Sequence, residues 1–214
     1  MIGAALVLLL AGGVEDPWVT ARAAPDGPAR TAALVASLAD DAVAGLSAQA
    51  LGERLGVAFQ AFLDAERRTA AEELLALARA FDARERAVWS AFCLEGALRR
   101  GHSRYAAADA ALAAVQPRDA AEALALLERR ALVAGAAGDT ARETAFLGAA
   151  LARGSTDARQ VLGFRALRVG ARAEAAVHFG VLLDPAVAAR DLPPWALRGY
   201  GLTLLPERVA GPLR

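Results

Sequence analysis

The sequence predicts an all-α protein. Ala, the residue with the highest intrinsic helix propensity, accounts for 58 of the 214 residues. The residue types that favour strands are scarce, since aromatic residues make up 6% of the chain and Ile2 is its only isoleucine. Short breaks containing Gly, Pro or charged residues separate segments whose apolar residues recur at helical spacing. These three observations favour helices along the whole chain.

Composition and charge exclude several classes of function. The 24 basic and 24 acidic residues balance, which argues against nucleic acid as a partner because phosphate binding needs an excess of basic residues. The chain has no Lys, so neither a phosphate-loop lysine nor Schiff-base chemistry is available to it. Cys93 is the only cysteine, which rules out a disulfide within the chain. We therefore expect a protein that is not an enzyme and uses no cofactor and no metal.

The N-terminus predicts a signal-like segment over residues 1–13. Residues 4–12 form an uncharged apolar run, and small residues follow it at positions suited to cleavage after Gly13. The run is too short to span a bilayer. Export is the expectation, and contact with a membrane is expected only through this segment if it is retained. No basic residue precedes the run, so a cytoplasmic protein with a buried N-terminal helix is the alternative.

Local signals place the helices in order. Residues 14–28 carry three prolines and predict a linker. Leu34, Val35 and Leu38 form an apolar stripe in a first helix over 29–44, and Ser47 is a suitable N-cap for the next helix. Helices that alternate with turns are then predicted at 47–65, 69–81, 85–100, 103–115, 119–137, 139–153, 155–169, 172–183 and 195–205. Residues 206–214 follow the stop at Pro206 as a tail.

The turns within successive helix pairs recur at a regular spacing. They fall at Glu66, Gly101, Gly138 and Gly170, which are 35, 37 and 32 residues apart. A period near 34 with two helices in each unit indicates an array of helical hairpins, because a single hairpin cannot bury its own apolar face. Gly at these turns is expected to supply the left-handed backbone conformation that ends a helix.

The chain resembles the tetratricopeptide repeat family over roughly residues 50–205. The best match is 156–189, where Leu162, Gly163, Ala175, Phe179 and Pro185 fall close to the family pattern. Three weaker repeats precede it, and Trp195 and Gly199 have the spacing of a final capping helix. The resemblance implies a right-handed superhelical array of about four hairpins plus a C-terminal capping helix, within a repeat domain spanning 29–205. Small residues at Gly163, Ala106 and Ala175 would let helices approach closely, and Phe179 would fill the gap between hairpins.

The same resemblance implies a non-catalytic scaffold that binds a peptide or protein segment in the concave face of the array. The positions implied for that groove are mixed in polarity, with one aromatic residue: Glu53, Gln60, Asp64, Glu95, Arg99, Glu128, Gln160, Phe164 and Arg168. The alternative is a structural component of a cell-envelope complex that packs through apolar surface, with Trp18, Trp195 and Tyr200 as contacts. The Arg67-Arg68, Arg99-Arg100 and Arg129-Arg130 doublets are expected to complement helix dipoles, or to form a patch for an acidic partner.

Overall fold

The computed structural model of the protein describes residues 16–181 and 194–204. Every regular element in these ranges is helical and none is a strand, which confirms the predicted all-α class. The chain divides into two compact units, one ending at Glu122 and the other starting at Ala123, where the sequence predicted a single repeat domain. Three predictions fall outside the described residues: the signal-like segment 1–13, the tail 206–214, and Pro185 of the best repeat match.

The first unit contains seven helices and one π-helical segment among its described residues. They are α1 (Pro17–Ala23), α2 (Pro28–Ser37), α3 (Asp40–Val43), α4 (Ala48–Arg67), α5 (Ala71–Ala83), α6 (Ala87–Gly96), the π-helical segment Ala97–Gly101, and α7 (Tyr105–Ala113). The second unit contains α9 (Thr140–Leu151), α10 (Thr156–Arg168), α11 (Arg172–Gly180) and α12 (Pro194–Leu204), together with most of α8 (Ala120–Ala136).

The beginning of the chain differs from the prediction. Residues 17–23, expected in a linker, form α1, because Pro17 occupies the first helical turn and the Asp16 carboxylate accepts a hydrogen bond from the Trp18 amide at 2.9 Å. The single helix predicted over 29–44 is two helices, α2 and α3. The Arg54 guanidinium donates to the carbonyl oxygens of Ser37 at 2.8 Å and Ala42 at 3.2 Å, so it ties α4 to the chain on either side of this break.

Seven helical segments in the described chain are each followed by a residue with left-handed φ, between 52° and 85°: Gly45, Thr69, Glu85, Ser103, Gly138, Gly154 and Gly170. In five of these seven turns the next amide donates back to a carbonyl five residues earlier, as Ala70 does to Ala65 at 2.9 Å, which is the Schellman arrangement. The predicted role of Gly138 and Gly170 is confirmed, with φ of 76° and 77°. Thr69, Ser103, Gly138 and Gly170 follow one another after 34, 35 and 32 residues.

The prediction that Gly101 forms a turn of this kind is wrong. Gly101 lies at the end of the π-helical segment, and Ser103 is the left-handed residue. The wider π turn adds one residue, so the Arg104 amide reaches back six residues to the Leu98 carbonyl, at 2.9 Å. A Cβ atom on Gly101 would lie 2.7 Å from the Ala71 Cβ atom. Glycine is therefore required here because α5 approaches the backbone closely.

Each unit has its own hydrophobic core. In the first unit Leu34, Phe62, Leu74, Leu77 and Phe81 are almost completely buried. In the second unit one cluster is formed by Ala131, Leu147, Ala150 and Ala158, and another by Ala166, Ala175 and Phe179. The close approach predicted at Ala175 is confirmed, since this residue is fully buried. The same prediction for Ala106 is wrong, because Ala106 is exposed and Ala108 is the buried alanine of α7.

Candidate functional site

Three of the predicted groove residues lie on α4 in the first unit. Glu53 and Gln60 are exposed and Asp64 is half-buried. Their spacing of seven and four residues places them on one side of the helix. The Asp64 carboxylate accepts a hydrogen bond at 3.2 Å from the largely exposed Arg67 guanidinium. The structure therefore brings these three residues together as a polar helix face.

Glu95 and Arg99 were also predicted to line the groove, and the structure corrects this. The Glu95 side chain is completely buried and that of Arg99 is 7% exposed. The Arg99 Nε atom donates to Glu95, and its Nη2 atom lies 2.5 Å from the Oε1 atom of Glu66 on α4. Arg99 thus joins the π-helical segment to α4 and α6 and is not available to a partner. Its role is an interior ion pair, where the sequence suggested a helix-dipole contact or an acidic-partner patch.

A second carboxylate in this unit is held in a similar way. The Glu73 side chain accepts hydrogen bonds from Arg68 at 2.8 and 3.0 Å and from the Thr31 hydroxyl at 2.6 Å. Burial by itself would raise the pKa of Glu73, but the hydrogen bonds from Arg68 and Thr31 outweigh it and lower that pKa below its ordinary value. Glu73 therefore ties the first turn of α5 to Arg68, which follows α4, and to Thr31 of α2.

Glu128, predicted as a groove residue on α8, has a structural partner in the second unit. It is half-buried and accepts a hydrogen bond from the Ser155 hydroxyl at 2.5 Å. The Ser155 oxygen in turn accepts from the Ala158 amide at 2.8 Å, so Ser155 is the N-cap of α10. Glu128 thus holds the N-terminus of α10 in place.

The remaining three predicted residues lie along α10. Gln160, Phe164 and Arg168 are spaced by four residues, which brings them to one side of the helix. Gln160 and Phe164 are half-buried and Arg168 is exposed. The Phe164 ring meets the Phe179 ring edge-on with 5.1 Å between centroids, so part of it belongs to the core. The exposed rim of Phe164 lies between two polar side chains.

Two further residues complete this surface, and sequence reasoning missed both. Asp157 and Val161 are exposed, the latter with 41% of its surface accessible. Together with Phe164 and Arg168 they follow a spacing of four, three and four residues, which defines a continuous helix face. We call Asp157, Val161, Phe164 and Arg168 the α10 face. This spacing is the signal that could have identified it.

The packing beneath the α10 face depends on two glycines. The fully buried Phe179 ring of α11 lies between Gly163 of α10 and Gly199 of α12. A Cβ atom would lie 2.6 Å from the ring at Gly163 and 2.5 Å from it at Gly199, so only glycine fits. Trp195 and Tyr200 pack against the same cluster. They are therefore core contacts of the second unit, and the close approach predicted at Gly163 is confirmed.

The described residues form no group of three or more His, Cys, Asp or Glu side chains that could hold a metal ion. Cys93 is completely buried. Within 16–181 and 194–204, no helix is both long and apolar enough to cross a bilayer.

Comparisons with protein-family models, with curated proteins and with solved structures give no match for this chain. The resemblance to tetratricopeptide repeats therefore stays a prediction. The structure shows exposed helix faces, and among them the α10 face combines apolar and charged side chains.

Proposed function

We propose that this chain is a non-catalytic scaffold that binds a segment of a protein along exposed helix faces of a tetratricopeptide-like array. The α10 face carries the proposal. It exposes Val161 and the rim of Phe164 between Asp157 and Arg168, over a core that fixes the helix in position. An apolar centre flanked by polar groups is the usual composition of a protein-binding patch.

The left-handed turn residues at intervals of 34, 35 and 32 support the array. This spacing matches that of a two-helix repeat. The interlocking of Phe179 with Gly163 and Gly199 joins one hairpin to the helix that follows it, as expected between neighbouring repeats.

The experiment compares two valine substitutions during capture of partner proteins. Val161→Asp places a charge in the α10 face, whereas Val177→Asp makes the same change on α11, where Val177 is 63% exposed. We expect wild type and Val177→Asp to retain the same bound protein and Val161→Asp to lose it, with equal helicity in all three. Identical capture by both variants would overturn the assignment of binding to α10.

A structural role in a cell-envelope assembly is the second candidate, and one observation favours it. Val169, Val177, Val181 and Leu204 of the second unit are at least 60% exposed, so this unit presents apolar surface beyond the α10 face. If this candidate is correct, Val177→Asp will impair partner capture more than Val161→Asp.

A further inference from the structure

The α10 face is complementary to itself when two copies of the helix run antiparallel. Asp157 and Arg168 lie at equal distances from the point between Leu162 and Gly163, and so do Val161 and Phe164. Turning a second helix around that point sets Asp157 opposite Arg168 of the other copy at both ends. It also sets Val161 opposite Phe164 at both central positions. A two-fold interface requires this kind of matching, in which one patch serves both partners.

The charges at the two ends are available for such contacts. Neither Asp157 nor Arg168 makes an ion pair with any described residue. The neighbouring Arg165 differs, because its Nη2 atom lies 2.5 Å from the Oε2 atom of Glu143. Among the described residues, Arg168 is thus the positive group of the α10 face that has no carboxylate partner, and Asp157 is the matching negative group. They are about 16 Å apart along the helix axis, at 1.5 Å per residue.

The geometry points to a homodimer in which the α10 faces of two copies pack antiparallel, with Asp157 of each copy paired to Arg168 of the other. This inference rests on the proposed function, since it names a second copy of this chain as the partner of the same face. Burial of Val161 and the Phe164 rim supplies the apolar contact, and the end charges set the direction of the helices. Both charges also suit the ends of the α10 dipole, so the test must separate pairing between copies from stability within one.

Exchanging the charges of positions 157 and 168 separates pairing between two copies from stability within one copy. Sedimentation equilibrium of the full chain, from micromolar to millimolar concentration, would compare wild type, Asp157→Arg, Arg168→Asp and the variant carrying both substitutions. By symmetry each single variant removes two ion pairs and places like charges opposite each other at both ends. We expect each to raise the dimer dissociation constant by at least about tenfold. The double variant restores opposite charges and should return dimerisation to near the wild-type level, although its charges oppose the helix dipole.

Arg153→Asp is the control, because Arg153 is an exposed arginine on the neighbouring segment and the change in net charge is the same. It should leave the dissociation constant unchanged. A monomeric wild-type chain at all concentrations would overturn the inference, and so would a dimer that responds equally to Arg168→Asp and Arg153→Asp. Failure of the double variant to recover, with helicity retained, would overturn the antiparallel pairing. If the chain is monomeric but Val161→Asp still abolishes capture of another protein, the scaffold proposal stands and only self-association fails.

Discussion

Replacing Gly163 and Gly148 by alanine makes the same chemical change at two helix positions and should have opposite effects. Gly148 is an exposed residue of α9, and a Cβ atom there would meet nothing within 4 Å. Gly148→Ala should therefore stabilise the protein by about 0.5–1 kcal/mol through helix propensity alone. At Gly163 the added Cβ atom would lie 2.6, 2.8 and 3.0 Å from three carbons of the Phe179 ring.

The Phe179 ring cannot retreat from the new methyl group. The ring also lies against Gly199, where a Cβ atom would be only 2.5 Å from it, and the side chain has no exposed surface. Normal carbon contacts are about 3.5–4.0 Å, so a helix must shift by about 1 Å. Overpacking of this kind costs about 1–3 kcal/mol, which exceeds the gain in propensity. We expect Gly163→Ala to lower the free energy of unfolding by about 1–2 kcal/mol, in contrast to Gly148→Ala.

Urea denaturation followed by circular dichroism measures the free energy of unfolding of both variants. Hydrogen exchange should localise the loss of stability in Gly163→Ala to α10, α11 and α12. Phe179→Leu in the Gly163→Ala background provides the internal check, because a smaller side chain makes room for the methyl group. The double variant should be more stable than the sum of the single effects implies. A Gly163→Ala protein as stable as Gly148→Ala would refute the packing of Phe179 against α10.

Three other substitutions test the first unit. Arg99→Ala removes the guanidinium that the buried Glu95 contacts, so we expect the free energy of unfolding in chemical denaturation to fall by about 3–5 kcal/mol. Arg67→Ala is the control, because its side chain is 74% exposed and its loss should be less than about 1 kcal/mol. Ser103→Gly relieves a left-handed φ of 52° and should raise the unfolding midpoint by an amount equivalent to about 1 kcal/mol; a lower midpoint would contradict the turn geometry. Because the pKa of Glu73 is lowered in the folded protein, its ionised carboxylate stabilises the folded state at pH values above the ordinary pKa of 4.5. This stabilisation is lost as the pH falls through the lower pKa of the folded state. Glu73→Gln should therefore be less stable at pH 7 and lose less stability on acidification, which a series of melts from pH 7 to pH 3 would measure.

The sequence predicted the helices of the second unit closely. The predicted helix 155–169 is observed as Thr156–Arg168, and its boundaries follow from local signals, namely the Ser155 cap and the left-handed Gly170. Both signals act through neighbouring backbone groups, so they are visible without tertiary structure. The helices at the start of the chain were harder to predict, because Pro17 can either end one helix or begin another and the sequence alone does not distinguish the two.

The burial of Glu95 and Arg99 could not be predicted from the sequence. A Glu and an Arg four residues apart are typical of an exposed helix face, where they form a weak surface pair. Here the third member, Glu66, comes from α4, and the π-helical turn brings Arg99 to it. Such a cluster depends on contacts between segments that are distant in the sequence, which helix spacing alone does not reveal. Val161 and Asp157, by contrast, follow from helix spacing once the bounds of α10 are known.

A photo-crosslinking residue at position 161, with the adducts identified by mass spectrometry, reports what contacts the α10 face in the cell. The same residue at position 177 is the reference. If the α10 face binds protein as proposed, position 161 will give protein adducts that position 177 lacks, among them adducts to α10 of a second copy. If position 161 gives no protein adducts beyond those of position 177, the α10 face is ordinary solvent-exposed surface and the proposed function is wrong.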